Sequence, residues 1–345
     1  MRGFFALVAL LAGLIAGSAH AAAPVPYGIT PALIAAAKKE GTVTYYTSLE
    51  LVAAEHLAKA FQDRYGVKVR VERAGSERVF QRIGQEYLTG IHNVDVADTS
   101  DAVHFTYFKR RGWLSQAVPA EMARLWPADM RDPEGYFAAF RADLSVIAYN
   151  KRLVQPQDAP KSFADLLQPK WKGKLVKGHP GYSGTIMTAT HTLSKALTWD
   201  YFAKLGQQNV MQVQSSTDPP KKLSLGERAV QVDGNEYVVV MQQKKGVPLQ
   251  IVYATEGTPL VVGNAAIFKT PAHPKAAKLF YAWMFALEAQ QLNSDFGGVR
   301  SFHPSVKDNS GRPPLSQIKL LRSDTKELEA NLATIKRRYE QYFGT

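Results

Sequence analysis

A chain of 345 residues without one cysteine excludes disulfide scaffolds, thiolate zinc sites and cysteine nucleophiles from the outset. Its composition, 46% hydrophobic and 21% charged, is that of a globular protein, and its formal net charge of +12 favours anionic partners. The basic residues are scattered and their densest clusters (Lys109-Arg110-Arg111, Lys244-Lys245, Arg337-Arg338) are short, so most of the charge reads as a solvated face and no nucleic-acid partner is expected.

Met1 and Arg2 precede an apolar run over residues 4–16 and a small-residue stretch ending Ala19-His20-Ala21. This order predicts a signal peptide over residues 1–21, cleaved near Ala21. No second run of about 20 apolar residues follows, and no cysteine is present to carry a lipid, so the mature protein is expected free in the periplasm.

Strand-like and helix-like segments then alternate. Residues 42–46 are β-rich, and Leu51, Ala54, Ala58, Phe61 and Tyr65 recur at helical spacing before Gly66 ends the turn. Residues 67–71 read as a strand, Ser76 as the N-cap of a helix through Phe80 and Ile83, and residues 95–97 as a third strand. This order predicts an α/β protein with a parallel or mixed sheet. Strands are expected again at residues 144–149, 174–176, 249–253 and 260–268, with helices from Ser183-Gly184-Thr185 to about Leu197, over 235–245 and over 275–291. After Pro313-Pro314, the stripe Ile318, Leu321, Leu328, Leu332, Ile335, Tyr339 and Tyr342 predicts a helix packed on the body in preference to a coiled-coil dimer, and hence a monomer.

Enzyme motifs are missing. There is no H-E-x-x-H, no P-loop and no G-x-G-x-x-G, and Gly181-Tyr182-Ser183-Gly184-Thr185 lacks the final glycine of a nucleophile elbow. The mature histidines show no metal-binding spacing. What recurs is a strand end, small hydroxyl residues and a helix start: Thr47-Ser48, Thr99-Ser100 and Ser183-Gly184-Thr185. Helix N-termini at the C-terminal ends of strands bind anionic oxygens in such folds. Glu236 and Tyr237 open another helix, and Arg141 lies in a strand-like stretch where a charge needs a partner or a ligand.

The segments Val43-Thr44-Tyr45-Tyr46-Thr47-Ser48, Phe61-Gln62-Asp63-Arg64-Tyr65-Gly66-Val67-Lys68-Val69, Asp95-Val96-Ala97, Val146-Ile147-Ala148-Tyr149-Asn150-Lys151, Pro169-Lys170-Trp171-Lys172-Gly173-Lys174 and His273-Pro274-Lys275-Ala276-Ala277 stand in an order that resembles periplasmic solute-binding proteins of ABC transporters. The resemblance runs over nearly the whole mature chain and is nearest to the ferric-ion-binding group of the two-lobed type II class. It implies two lobes, residues 22–140 with 266–315 and residues 141–265, and a C-terminal helix over 316–345. Two crossover strands would join the lobes, near 140–143 and 264–268, around a ligand cleft that closes by a hinge. It also implies an inner-membrane permease with a separate ATPase as partner, no catalysis and no resident cofactor.

The family's metal site carries over poorly. An adjacent tyrosine pair reads here as Glu236-Tyr237, the usual histidine falls at Glu50, and the usual glutamate falls near Ser100. Glu50, Glu236 and Tyr237 remain hard oxygen donors for Fe3+ as a ligand. Thr47, Ser48, Ser76, Ser100, Arg141, Ser183, Gly184 and Thr185 suit a small phosphorylated, phosphonate or carboxylate solute better. The anionic solute is the preferred expectation and ferric iron the alternative.

Overall fold

The computed structural model describes residues 22–344, so the expected signal peptide lies outside the described residues. Helix α1 (Pro31–Glu40) is capped by Thr30, whose hydroxyl accepts from the Leu33 amide at 3.2 Å, and is closed by Gly41. Strand β1 (Thr42–Thr47) follows, then α2 (Leu51–Tyr65), which ends on Gly66 in the left-handed conformation at φ 69°. Next come β2 (Lys68–Arg73), α3 (Ser76–Leu88), β3 (Val96–Thr99), α4 (Ala102–Arg110), β4 (Leu114–Ser115) and α5 (Ala120–Leu125). β1 lies between β2 and β3, parallel to both, as its β-branched and aromatic sequence and the βαβαβ order predict.

The expected strand over residues 144–149 is two strands. β5 (Ala138–Leu144) belongs to the first sheet, and β6 (Ile147–Asn150) to a second, with Ser145 and Val146 making the passage between them. A run of apolar residues cannot show where a chain changes sheets, because both halves are fully buried. The second lobe then adds β7 (Leu175–Gly178), α6 (Gly184–Gly206), β8 (Met211–Val213), α7 (Asp218–Ser224), β9 (Val230–Gln231), α8 (Glu236–Lys244) and β10 (Leu249–Val252). Its sheet runs β10-β6-β9-β7-β8. α6 kinks at Thr198 (φ 63°), one residue past the expected end near Leu197.

β11 (Thr258–Phe268) returns to the first sheet, antiparallel to β5, β3 and β4. A bulge between Gly263 and Asn264 breaks its register with β5. Gly263 lies opposite Arg141, and a Cβ there would come within 2.7 Å of the Arg141 side chain, so glycine makes room for the guanidinium. The expected helix over 275–291 is α9 (Pro274–Met284) and α10 (Leu287–Asp295). The break lets buried Gln290 donate to the Met284 and Phe140 carbonyls at 2.7 and 3.2 Å.

The tail forms β12 (Leu320–Leu321), parallel to β11, and α11 (Thr325–Phe343), capped by Asp324. Thr325, an interruption in the apolar stripe, is where the helix begins. α11 packs on the body, and it is shorter than the expected helix over 316–345. Tyr342 and Phe343 join the second lobe's core beside Trp199, and Leu328 and Ile335 pack with Met187 of α6 and Val103 of α4.

Candidate functional site

The C-terminal ends of β1 and β3 face β5 across a floor of buried charge. Asp98 on β3 accepts from the hydroxyls of Tyr45 and Thr47, and from Arg141 Nε and Nη2 at 3.1 and 3.0 Å. Arg141 also donates through Nη1 to Asp143, and through Nη2 to Ser48 Oγ at 3.1 Å. Ser48 Oγ in turn accepts from the Ser100 amide at 3.2 Å. Thr47, Ser48, Ser100 and Arg141 are thus brought together. The partner Arg141 requires is supplied by two carboxylates. Burial works against its charge, but Asp98 holds its pKa above the ordinary arginine value. Asp143 Oδ1 and the neighbouring Ser145 Oγ are buried and have no hydrogen-bond partner among the described residues.

The second lobe reaches this floor through α8 and the loop before α7. The Tyr237 hydroxyl accepts from the Glu50 amide at 3.1 Å, and Lys221 on α7 pairs with Glu50 Oε1 at 2.9 Å. Burial raises the Tyr237 pKa, opposed by the positive charges of Arg141 and Arg73. Arg73 ends β2. Its Nε donates to the Leu49 carbonyl at 3.2 Å, and its Nη2 to Ser215 Oγ and Thr217 Oγ1 at 3.5 and 3.3 Å. All three acceptors are neutral, and among the described residues Arg73 pairs with no carboxylate. Arg73, Ser215, Thr217 and Lys221 are absent from the sequence-based expectation. The available signal for Arg73 was its place at the C-terminal end of a parallel strand.

Three expected ligand positions form a seam between the lobes. Ser76 is not the N-cap of α3, which is Gly75; it is the first helical residue, and its hydroxyl accepts instead from the Gly184 amide at 2.6 Å, across the lobes. Ser183 caps α6, accepting from the Ile186 amide at 3.5 Å. Gly184 lies so close to the first lobe that a Cβ would come within 2.5 Å of Asp101 Cβ and 2.8 Å of the Ser100 carbonyl oxygen. The α6 N-terminus is therefore covered by protein, with Thr185 Oγ1 buried behind it and without a partner among the described residues.

Glu236 stands apart from the floor residues. Arg300 grips its carboxylate through two bonds of 2.7 and 2.8 Å, Arg312 adds a third at 2.9 Å, and Tyr253 donates a fourth at 2.5 Å. Both oxygens are thus committed to charge-assisted bonds. Of the three expected ferric donors, Glu50 and Tyr237 are adjacent and Glu236 is engaged elsewhere.

One further titratable group lies behind the seam. Glu77, Asp101 and His104 bring their ligand atoms within 4.8 Å of one another, all buried. The spacing would admit a cation, but positive charge is already in place. Lys336 of α11 stands 3.6 Å from Glu77 Oε2, and His104 Nε2 is 2.9 Å from Glu77 Oε1.

A family model described as bacterial extracellular solute-binding protein matches residues 93–325. The chain belongs to that family. Among curated relatives, an uncharacterized protein of Haemophilus influenzae is 24% identical over 76% of this chain and 78% of its own length. The major ferric iron-binding protein of Neisseria gonorrhoeae is 23% identical over 84% and 89%. Among solved structures, the periplasmic binding protein AfuA from Actinobacillus pleuropneumoniae, bound to exogenous fructose-6-phosphate, superposes with a TM-score of 0.79 at 22% identity, over 88% of this chain and 99% of its own. Iron-bound HitA from Pseudomonas aeruginosa gives 0.73 at 22% identity, over 86% and 99%. This solute-binding protein has the two-lobed periplasmic-binding fold, with β5 and β11 as its crossing strands.

Proposed function

We propose that this protein is the periplasmic substrate-binding component of an ABC importer, and that it captures a small anionic solute carrying a phosphate, phosphonate or carboxylate group. The lobes follow the two sheets, which change over at residues 145–146 and between β10 and β11, so residues 141–144 and 258–265, expected in the second lobe of 141–265, lie in the first sheet with 22–140 and 266–315. They close by a hinge at β5 and β11 and deliver the solute, chemically unchanged, to a permease driven by a separate ATPase.

Arg73 carries this reading. It is a half-buried guanidinium at the lobe junction with only neutral acceptors, Leu49, Ser215 and Thr217, and it calls for an anion. The likeness to AfuA, solved with fructose-6-phosphate, points the same way. Asp143 Oδ1, an acceptor without a donor, suits a solute that also bears hydroxyl groups.

A second reading, ferric iron or a ferric–anion complex, is favoured by Tyr237 beside Glu50 and by the names of several relatives. Against it, Glu236 is held by Arg300 and Arg312, and burial disfavours the Tyr237 phenolate.

Calorimetry decides between them. Wild type and Arg73→Gln would be titrated with fructose 6-phosphate, inorganic phosphate, citrate and ferric citrate. The expected result is binding of a phosphate- or carboxylate-bearing solute that Arg73→Gln weakens about 10- to 100-fold, the worth of a hydrogen bond to a charged group. Binding of ferric citrate alone, or equal affinities in the two proteins, would overturn the anionic reading.

A further inference from the structure

The C-terminal helix touches both lobes, and the two attachments differ in kind. On the second lobe it is anchored by packing. Tyr339 is fully buried, donates to the Gly178 carbonyl at 3.2 Å and faces the Lys177 ammonium at 5.1 Å. Tyr342 and Phe343 join the core around Trp199, with the Tyr342 carbonyl against Gly206. Lys195 adds an ion pair to Glu327 at 2.6 Å.

On the first lobe the attachment is mostly charge. Arg110 pairs with Glu329, and Lys336 reaches Glu77. Among the described residues, Val103 is the one first-lobe residue in the apolar cluster under the helix. Beside it a cavity of about 470 Å³, lined by Ala102 and Thr106 of α4, Val262 of β11 and Leu328 of α11, stands where packing would otherwise be.

We propose that α11 is a strap carried by the second lobe, and that Lys336, resting on the Glu77–Asp101–His104 group of the first lobe, makes closure proton-linked: a proton on His104 repels Lys336 and favours the open form. This rests on the hinge reading above but not on the identity of the solute.

The groups facing His104 are few. α3 supplies Glu77, the α4 N-cap supplies Asp101 (3.8 Å from Nε2), β3 supplies Thr99 (3.1 Å from Nδ1), and Phe80 stacks on the ring. α6 presents its N-terminus at Gly184 beside Asp101, and α11 presents Lys336, whose charge also acts on His179, a ring that feels Lys177 and Glu340 as well. With His104 neutral, the group holds two carboxylate charges for Lys336. With His104 protonated it holds one in net, and the attraction weakens. Conversely, opening removes Lys336 and lets the imidazole bind its proton more tightly, which is the same coupling seen from the other side.

The test uses the absence of native cysteines. Leu88→Cys on α3 and Leu225→Cys beyond α7, both exposed, take spin labels, and pulsed EPR reads the distance between the lobes. In ligand-free protein the short-distance population should fall a few-fold from about pH 9 to about pH 6, the range in which a histidine with acidic neighbours changes charge. In Lys336→Met, which keeps most of the partly exposed side chain's length without its charge, that population should be smaller and independent of pH. A wild-type population that does not fall, or one that falls equally in Lys336→Met, overturns the proposal. A distance that responds to added fructose 6-phosphate but not to pH defeats the latch alone. One that responds to neither, in a protein that calorimetry shows to bind, defeats the hinge reading with it.

Discussion

The Tyr237 hydroxyl accepts a hydrogen bond from the Glu50 backbone amide at 3.1 Å, so the first turn of α8 in one lobe is tied to the entrance of α2 in the other. This contact places the only phenol at the expected ferric position in a role between the lobes. Tyrosinate chemistry is disfavoured there because the ring is buried, and burial raises its pKa against the opposing pull of Arg141, Arg73 and the Glu50 amide itself.

The first prediction follows from it. Ferric citrate should produce no tyrosinate–iron charge-transfer band in the visible spectrum at saturation. Tyr237→Phe should cost about 0.5–1.5 kcal/mol of closed-state stability, the net value of one hydrogen bond. Appearance of a band that vanishes in Tyr237→Phe would establish the ferric reading instead.

The seam at Gly184 gives the second. Alanine is conformationally favourable in the first turn of a helix, so Gly184→Ala should retain the melting temperature of wild type or raise it slightly. Its Cβ would collide with Asp101 and the Ser100 carbonyl, so the lobes should be held apart and solute affinity should drop at least about 10-fold. Small-angle scattering should show a larger radius of gyration with solute present than wild type gives. An unchanged radius and affinity would mean that the seam relaxes.

Arg141 holds a buried ion network together, whatever its part in the candidate site. Replacing it with methionine leaves Asp98 and Asp143 buried side by side without their shared cation. The expected cost is about 3–5 kcal/mol, the usual result of removing one partner from a buried ion pair. Thermal or urea unfolding measures it, and a loss below about 1 kcal/mol would show that water reaches the floor.

His104 yields a pH dependence with a definite sign. Burial disfavours its charged form, but Asp101 and Glu77 more than offset that, and its pKa in the folded protein lies above the ordinary 6.5. Its protonation therefore adds stability that is fully present below that ordinary value and is lost as the pH rises through the raised one. The stability difference between wild type and His104→Gln should be largest near pH 6 and shrink toward about pH 9. A difference that grows with pH would reverse the assignment.

Much of this architecture was legible because local signals agreed with the fold. Gly66, the stripe from Leu51 to Tyr65 and the β-rich residues 42–46 state their element without help from distant parts of the chain. The breaks were not legible. Nothing local distinguishes residues 144–149 from one continuous strand, because the change of sheet is set by what packs on each half. The site divides in the same way. Ser48, Ser100 and Arg141 were visible as polar residues at strand ends, whereas Arg73 gains its meaning from Ser215 and Thr217, more than 140 positions away. Ser76 has the right residue type for a cap, yet the helix it serves begins 108 positions later, at Gly184.

The neutral surroundings of Arg73 have a consequence for how this protein meets its environment. On the anionic reading proposed above, a guanidinium without a carboxylate among the described residues draws whatever small anion the surrounding fluid offers, so the cleft is never vacant in the electrostatic sense. Chloride or buffer phosphate becomes the incumbent, and the cognate molecule must evict it. Selectivity is then an exchange, and it depends as much on the background electrolyte as on the fit of the guest.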